Sequence, residues 1–297
     1  MARKKTTSQD LFWPPPAPVD GIRVGIGGWV FVPWRDNFYP AGLVQRRELE
    51  YASHHVTAIE INGTYYGAQK PATYAKWRDE TPEGFLFSAK APKRIMASQA
   101  LSKVGGAVDE FVGGISELGT KLGPIVWQFE QGLHIDRDEF EAFIDLFPQH
   151  SNGRKLRHVL DVRDPAFIND AYLALARRHG MATVCTDSPD YPSFADVTAD
   201  FVYARLMRSR SEIATGYSEQ ALAAWAQRAR LWAAGGEPND LPRIGSSVAA
   251  SAHRDVFIHF ISSAKERNPA AAMALIERRR FSQLRQIRSR DSQISTC

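Results

Sequence analysis

Eight short runs rich in β-branched and aromatic residues recur along the chain, and longer stretches with helical periodicity separate them. Strands that alternate with crossover helices build parallel sheets, and a barrel of eight such units takes about 250 residues. A chain of 297 residues therefore predicts an α/β fold, a single (β/α)8 TIM-type barrel with tails. The predicted strands are residues 22–28, 57–62, 85–91, 124–129, 157–163, 182–188, 201–207 and 255–262.

Six of the seven connections between strands, and the segment after the last strand, carry helical periodicity, but the sixth connection is too short for a full helix. Its residues 189–200 contain turn-favouring proline and aspartate, which predicts one abbreviated crossover. Residues 235–254 are rich in Gly, Pro, Ser and Ala, and we expect a loop there. The predicted helices are residues 43–55, 73–80, 107–121, 138–147, 170–179, 218–234 and 269–280.

The positive charge lies at the ends of the chain. The net charge is +4, and residues 277–297 alone carry six arginines against two acidic residues. Residues 22–276 hold 28 basic and 29 acidic side chains, so the body of the protein is not basic. We therefore predict a disordered Pro-rich arm at 1–21, a barrel domain at 22–280 and a basic tail at 281–297. Nucleic acid is not an expected partner of the barrel body.

The cysteine content and the hydropathy pattern predict a cytoplasmic protein with no membrane partner. Two cysteines give no disulfide framework, and Cys185 lies in an apolar run typical of a buried strand. The basic start is followed by polar residues instead of the apolar stretch of a signal peptide. No run approaches the roughly 18 apolar residues of a membrane span.

Polar side chains stand near the C-terminal ends of most predicted strands, where barrels of this kind carry their functional residues. A period of two places both members of the pairs Glu60/Asn62 and Asp161/Arg163 on one face of a strand. Convergence at one mouth predicts a site, although a closed structural ion network would use the same residues. The candidates are Glu60, Asn62, Lys90, Gln128, Asp161, Arg163, Asp187, Tyr203 and Arg205.

The first loop after a strand, residues 29–40, is unusually aromatic. Trp29, and Tyr65 just past the second strand, are candidates for stacking on a flat or sugar-like ligand, and packing between loops would equally explain them. The eight histidines form no metal-binding constellation, and His259, in the last strand, is expected to be a hydrogen-bonded core residue. The sequence requires no cofactor, and it leaves open a Mg²⁺ ion held by Glu60, Asp161 or Asp187.

The ordered motifs resemble the YecE-like family, also called domain of unknown function 72, over residues 22–276. This resemblance implies a TIM-type barrel in a bacterial cytoplasmic protein with no established activity. Seven rim residues match the family one by one: Glu60, Asn62, Lys90, Gln128, Arg163, Asp187 and Arg205. The motifs that carry the resemblance are Gly28-Trp29, Trp34, Phe38-Tyr39-Pro40, Glu60-Ile61-Asn62-x-Thr64-Tyr65-Tyr66, Phe85-x-Phe87-x-x-Lys90-Ala91-Pro92, Lys121-Leu122-Gly123-Pro124, Gln128-Phe129, Arg163-Asp164-Pro165, Thr186-Asp187-Ser188-Pro189 and Phe201-Val202-Tyr203-x-Arg205-Leu206.

Several positions depart from the family pattern and remove potential acid, base or metal groups. Gly27 replaces an expected serine, Asp164 a common histidine, and Asp161 the longer glutamate. Met207-Arg208 stands where His-Gly is associated with the family, and residues 260–263 stand where Asn-Asn-Asp is common. A mechanism cannot simply be transferred from relatives.

Three functional hypotheses follow. In the first, the chain is an acid/base enzyme of the hydrolase or isomerase type, in which Lys90, Arg163 and Arg205 bind a small polar or anionic ligand bearing phosphate or carboxylate. Its general acid or base would be Glu60, Asp161 or Asp187. In the second, the same pocket belongs to a non-catalytic metabolite sensor. In the third, the Arg-rich tail binds nucleic acid weakly.

Overall fold

Eight parallel strands close into a barrel in which each strand pairs with its neighbours in chain order and the first pairs with the last. The computed structural model describes residues 14–132, 136–246 and 253–278. The TIM-type barrel predicted from the sequence is confirmed. The strands are β1 (Ile22–Gly27), β2 (Ala58–Ile61), β3 (Leu86–Lys90), β4 (Leu122–Phe129), β5 (His158–Val162), β6 (Ala182–Thr186), β7 (Phe201–Leu206) and β8 (Asp255–Phe260).

Helices surround the strands and follow the predicted periodic stretches, with short additional elements. The α-helix predicted at 107–121 ends at Ile115 and continues as a 3₁₀ segment, in which Gly119 has a positive φ of 56°. None of the helices in the described ranges is long and apolar enough to cross a membrane. The helices are α1 (Glu48–Ser53), α2 (Gly63–Tyr66), α3 (Pro71–Asp79), α4 (Lys93–Met96), α5 (Gly105–Ile115), α6 (Arg137–Asp145), α7 (Asp170–Arg178), α8 (Glu219–Ala233) and α9 (residues 268–278).

Shorter elements complete the fold. The single-turn helices α2 and α4 and a two-stranded hairpin, His150–Ser151 with Arg154–Lys155, escaped prediction because each element spans only about one period, too little for a repeating pattern. The 3₁₀ segments are Val32–Asp36, Gln45–Arg47, Leu101–Lys103, Ser116–Lys121, Pro165–Phe167 and Lys265–Arg267.

The sixth crossover is abbreviated, as the sequence predicts, and residues 189–200 contain no helix. Hydrogen bonds from two other segments hold this connection in place of helical packing. The Asp196 carboxylate accepts from the backbone N–H groups of Ile244 and Gly245 at 2.8 and 2.9 Å. The Thr198 hydroxyl donates to the carbonyl of Met181 at 2.7 Å. The bonds of Asp196 thereby attach the sixth crossover to the segment that precedes β8.

The predicted arm and tail fall largely outside the described residues. Residues 1–13 and 279–297 are not described, nor are 247–252 within the predicted loop before β8. Residues 235–246 form neither helix nor strand, as expected. The boundaries of the arm and the tail remain predictions.

The buried apolar side chains form two clusters, one between the strands and the helices and one inside the barrel. The larger packs the outward side chains of the strands against the helices. The smaller fills the N-terminal half of the barrel interior and includes Val126, Val159, Val184 and Phe257. Because side chains alternate along each strand, the next inward positions lie above this plug, toward the C-terminal ends. The polar rim residues of β2, β3, β4, β5 and β7 occupy those positions.

Gly25 lies where β1 closes against β2. A Cβ atom built on Gly25 would lie 2.1 Å from the carbonyl oxygen of Ala58 and 3.1 Å from Cδ2 of His259. Real Cβ atoms do not approach a backbone oxygen this closely, so only glycine fits at this point.

We expect Gly25→Ala to lower the free energy of unfolding by about 1–3 kcal/mol, because β1 must move away from β2. Gly113→Ala in α5 is the matched control, since its Cβ would meet nothing within 4 Å. That substitution should stabilise the protein by about 0.5–1 kcal/mol. Urea unfolding of the three proteins measures both effects, and equal midpoints would contradict the close approach of the two strands.

Candidate functional site

Arg205 is the centre of a buried polar cluster in the C-terminal half of the barrel. Its side chain, only 2% exposed, projects inward from β7 and reaches strands on both sides of the interior. Nη2 and Nε donate to Glu60 on β2 at 2.5 and 3.1 Å, and Nη1 donates to Asp161 on β5 at 2.5 Å. Nη1 also lies 3.2 Å from Oε1 of Gln128 on β4. One guanidinium therefore joins three strands that are not its neighbours.

Glu60 is fully buried and is held as a carboxylate. It accepts the two bonds from Arg205 and a third from the Tyr203 hydroxyl at 2.8 Å. Burial alone would raise its pKa, but the charge of Arg205 and these hydrogen bonds outweigh burial and lower the pKa to about 2. Glu60 therefore carries its charge throughout the neutral range.

His259 lies beneath the cluster and is neutral. Its ring stacks on Tyr203 with 5.1 Å between centroids, and neither ring nitrogen has a hydrogen-bond partner within the described chain. Burial, assisted by the nearby charge of Arg205, lowers the pKa of His259 to about 4. The expectation that His259 is hydrogen-bonded is therefore wrong, because Tyr203 presents a ring face to it and the Tyr203 hydroxyl is committed to Glu60.

Arg163 continues the network toward solvent. Its Nε lies 3.3 Å from Oδ2 of Asp161, and Nη2 donates to Gln128 at 2.7 Å. Nη1 donates to Glu130 at 3.2 Å and to the hydroxyl of Tyr191 at 3.3 Å, whose ring lies 4.3 Å from the guanidinium carbon. The Glu130 side chain is 47% exposed, so the network reaches the surface here.

Lys90 is the least satisfied charge in the cluster. The residue is 7% exposed, and its ammonium lies 3.8 Å from the centre of the Tyr65 ring, yet it makes no hydrogen bond or ion pair within the described chain. The Tyr65 hydroxyl itself donates to Glu130 at 3.1 Å. Burial, with the positive charges of Arg205 and Arg163, lowers the pKa of Lys90 to about 8 against the opposing effect of Glu60.

Asp187 is placed apart from this cluster. Its carboxylate accepts from the backbone N–H of Met207 at 2.5 Å and from the Tyr217 hydroxyl at 2.8 Å. It lines a separate cavity of about 450 Å³ beside the start of α8. The alternation along β6 explains this position: Val184 belongs to the inner plug, so Cys185 and Asp187 face outward.

Trp29 and Asn62 also lie beside the cluster. Both line a cavity of about 320 Å³ between the ends of β1 and β2, together with Trp77. The Trp29 ring packs edge-on against Trp77 with 4.8 Å between centroids. Trp34, in the same aromatic loop, is fully buried and donates from its indole N–H to the carbonyl of Lys265 at 2.8 Å. Packing accounts for most of this loop.

Sequence reasoning missed Glu130 and Tyr191. Glu130 follows Gln128 by two residues, so the periodicity applied to the other strand ends would have found it. Tyr191 lies in the abbreviated crossover, where no periodicity marks a side chain as facing the mouth. Asp164, one of the departures from the family pattern, has a local role, because its carboxylate accepts from the N–H groups of Ala166 and Gly132 at 2.9 and 2.8 Å.

The described residues contain no group of three or more His, Cys, Asp or Glu side chains that could hold a metal ion. The carboxylates considered for Mg²⁺ are instead engaged by protein donors. Glu60 and Asp161 are bound by Arg205, and Asp187 by Met207 and Tyr217.

Comparisons with known proteins agree with the barrel. The family model described as "Protein of unknown function DUF72" matches residues 23–293. The UPF0759 protein YecE of Escherichia coli (strain K12) is 33% identical over 75 residues, which cover 25% of this chain and 28% of that protein. The UPF0759 protein YunF of Bacillus subtilis (strain 168) is 33% identical over 70 residues, 24% of each chain. The alignments thus span about a quarter of these relatives.

Crystal structures of two DUF72 family proteins share the fold. The protein from Thermotoga maritima MSB8 superposes with a TM-score of 0.63 at 17% identity, covering 88% of this chain and 99% of that one. The protein from Enterococcus faecalis V583 gives a TM-score of 0.59 at 14% identity, covering 88% and 97%.

We expect Arg205→Met to lower the free energy of unfolding by about 3–5 kcal/mol, because Glu60 and Asp161 would remain buried without their common partner. Arg210→Met is the control, since its side chain is 66% exposed and its ion pair with Glu212 is at the surface. The control substitution should lower the free energy of unfolding by at most about 1 kcal/mol. Chemical denaturation measures both, and a similar loss in the two variants would contradict the central role of Arg205.

The stability conferred by the Glu60 carboxylate should depend on pH. Because folding lowers its pKa from 4.5 to about 2, this contribution is complete above pH 4.5 and is lost as pH falls toward 2. Glu60→Gln should therefore be much less stable than the parent at pH 7, and the difference should narrow below pH 4.5. Unfolding free energies of the parent, Glu60→Gln and the exposed control Glu110→Gln at pH 7, 4 and 3 measure this; a gap that stays constant would refute it.

Proposed function

The chain belongs to the DUF72 family of proteins of unknown function, and on that premise we propose that its barrel mouth binds a small anionic molecule against Lys90 and Arg163. The ammonium of Lys90 carries this proposal. A charge that is largely removed from water and has no counter-ion of its own costs several kcal/mol. A phosphate or carboxylate oxygen from a ligand would supply the missing acceptor.

Arg163 supports the same ligand class from the end of β5, which β4 separates from β3. Its guanidinium is held in place by Asp161, Gln128 and the ring of Tyr191, so binding would require little reordering of the side chain. The exposed carboxylate of Glu130, which now accepts from Arg163, is the group that an incoming anion would displace. The rings of Tyr65 and Tyr191 flank the two cations and would suit a sugar-like or flat ligand body.

The proposed chemistry is acid/base catalysis of the hydrolase or isomerase type, with the Lys90 amine as the group that exchanges a proton. A group with a pKa of about 8 is present in both protonation states near neutral pH, as a general acid or base requires. Glu60 and Asp161, by contrast, are committed to Arg205, and we assign them to positioning this arginine. Asp187 faces its own cavity, and we give it no part in this proton transfer.

A non-catalytic metabolite sensor is the second candidate. Its support is that Glu60 and Asp161, the two buried carboxylates of the cluster, are both paired with Arg205, which leaves Lys90 as the one group proposed for chemistry. Turnover of a bound ligand separates the two candidates. Weak nucleic-acid binding by the Arg-rich tail stays a prediction, because almost all of that segment lies outside the described residues. A cytoplasmic location likewise remains our inference from the sequence.

A thermal-shift screen of phosphorylated and carboxylated metabolites, with and without Mg²⁺, tests the proposed function. We expect a ligand that raises the Tm of the parent and of the exposed control Lys93→Met, but not of Lys90→Met or Arg163→Gln. Affinity should fall as pH rises through about 8, because Lys90 then loses its proton. Hits are assayed for turnover. A ligand that protects Lys90→Met as well as the parent would place binding elsewhere.

A further inference from the structure

A polar cavity lies at the opposite, N-terminal opening of the barrel. Its volume is about 310 Å³, and it lies between the starts of β1 and β8 and the hairpin that precedes β5. Four of its lining side chains are basic and only one is acidic: Arg23, Arg154, Lys155, Arg157 and Asp255. The excess of positive charge distinguishes this cavity from the mouth, where charges of both signs alternate.

Asp255 is shared between two arginines. Its Oδ2 lies 2.7 Å from Nη1 of Arg157, whereas its Oδ1 lies 3.4 Å from Nη1 of Arg23. The Nε of Arg23 is buried and has no hydrogen-bond partner within the described chain. One carboxylate therefore pairs with two guanidinium groups, and its contact with Arg23 is the longer of the two.

Aromatic rings fix both guanidiniums at the floor of the cavity. Their central carbons lie 5.7 Å (Arg23) and 5.8 Å (Arg157) from the centre of the Phe257 ring, and Arg157 is also 5.5 Å from that of Phe201. Burial lowers the pKa of Arg23, and repulsion from Arg157 adds to this effect against the attraction of Asp255. The two cations are held close together although they repel.

Two further cations, Arg154 and Lys155, lie at the exposed edge of this cavity and can turn toward a ligand. Lys155 pairs with Asp200 at 3.1 Å, but both side chains are more than 60% exposed, and such surface pairs contribute little. The Arg154 side chain is exposed, and among the described residues it reaches only the backbone carbonyl of Thr120, at 3.4 Å. Either side chain can therefore leave its present partner with little loss of free energy.

We propose that this opening is a second ligand site, which binds a small multiply charged anion of the phosphate class. A phosphate group in the cavity would offset the repulsion between the guanidinium groups of Arg23 and Arg157. The cavity volume suits a compact anion such as pyrophosphate and falls at the lower end of small-molecule sites. The site is independent of the function proposed for the mouth, because the apolar plug lies between them.

Titration of the full chain with inorganic pyrophosphate by calorimetry, at constant ionic strength, tests this proposal. The pocket variants are Arg23→Gln and the double variant Arg154→Gln/Lys155→Gln. The matched control Arg46→Gln/Lys103→Gln removes two exposed positive charges elsewhere. We expect the parent and the control to bind alike and each pocket variant to bind about tenfold more weakly, the loss of one charge-assisted hydrogen bond.

Equal affinity in the pocket variants and the control would overturn the proposal, as would an absence of binding by the parent. An equal loss in the control would assign the effect to overall charge and would also overturn it. The double variant Arg154→Gln/Lys155→Gln changes only exposed side chains, so it still tests the proposal if Arg23→Gln fails to fold. All of these variants leave the mouth residues intact, and their differences therefore report on this opening alone.

Discussion

A single buried guanidinium determines how the upper half of this barrel is built. Arg205 cannot lose its charge, and it has been removed from water, so the strands around it must provide carboxylates. Glu60 and Asp161 do so from β2 and β5, and neither could remain buried without Arg205. This mutual dependence explains why the deepest charged residues of the mouth are the least available for chemistry. Lys90 and Arg163, by contrast, are not bound by Arg205, and they are the residues to which we assign ligand binding.

The fold was largely predictable because apolar residues repeat along the sequence every 3.6 residues in the helices and every 2 residues in the strands. The same period of two correctly grouped Glu60, Asp161 and Arg205, and it identifies Glu130 when it is extended past the end of β4. In β6 the same alternation places Val184 inside the barrel, so Asp187, three residues later, faces outward. What the sequence could not reveal is the pairing itself. Whether Lys90 is neutralised depends on distances across the barrel between residues far apart in the chain, and no local pattern encodes them.

The interior of the barrel is divided into three zones along its axis. A mixed-sign cluster fills the C-terminal half, an apolar plug that includes Val126 and Val159 fills the N-terminal half, and a basic opening lies beyond the plug at the N-terminal end. The plug keeps the two charged zones from direct contact, because its valine and phenylalanine side chains offer no hydrogen-bonding group between them. The departures from the family pattern at Gly27, Asp164 and residues 207–208 lie at the C-terminal end.

The pairing of β1 with β8 also bears on how the chain reaches this structure. The ion pair between Arg23 and Asp255 joins residues 232 positions apart. Contacts of such long sequence separation form late in folding, because the intervening chain must be ordered before they become favourable. During synthesis on the ribosome, β1 and β7 are consequently unpaired edges until the last strand has emerged, and open edges are where strands of different molecules associate.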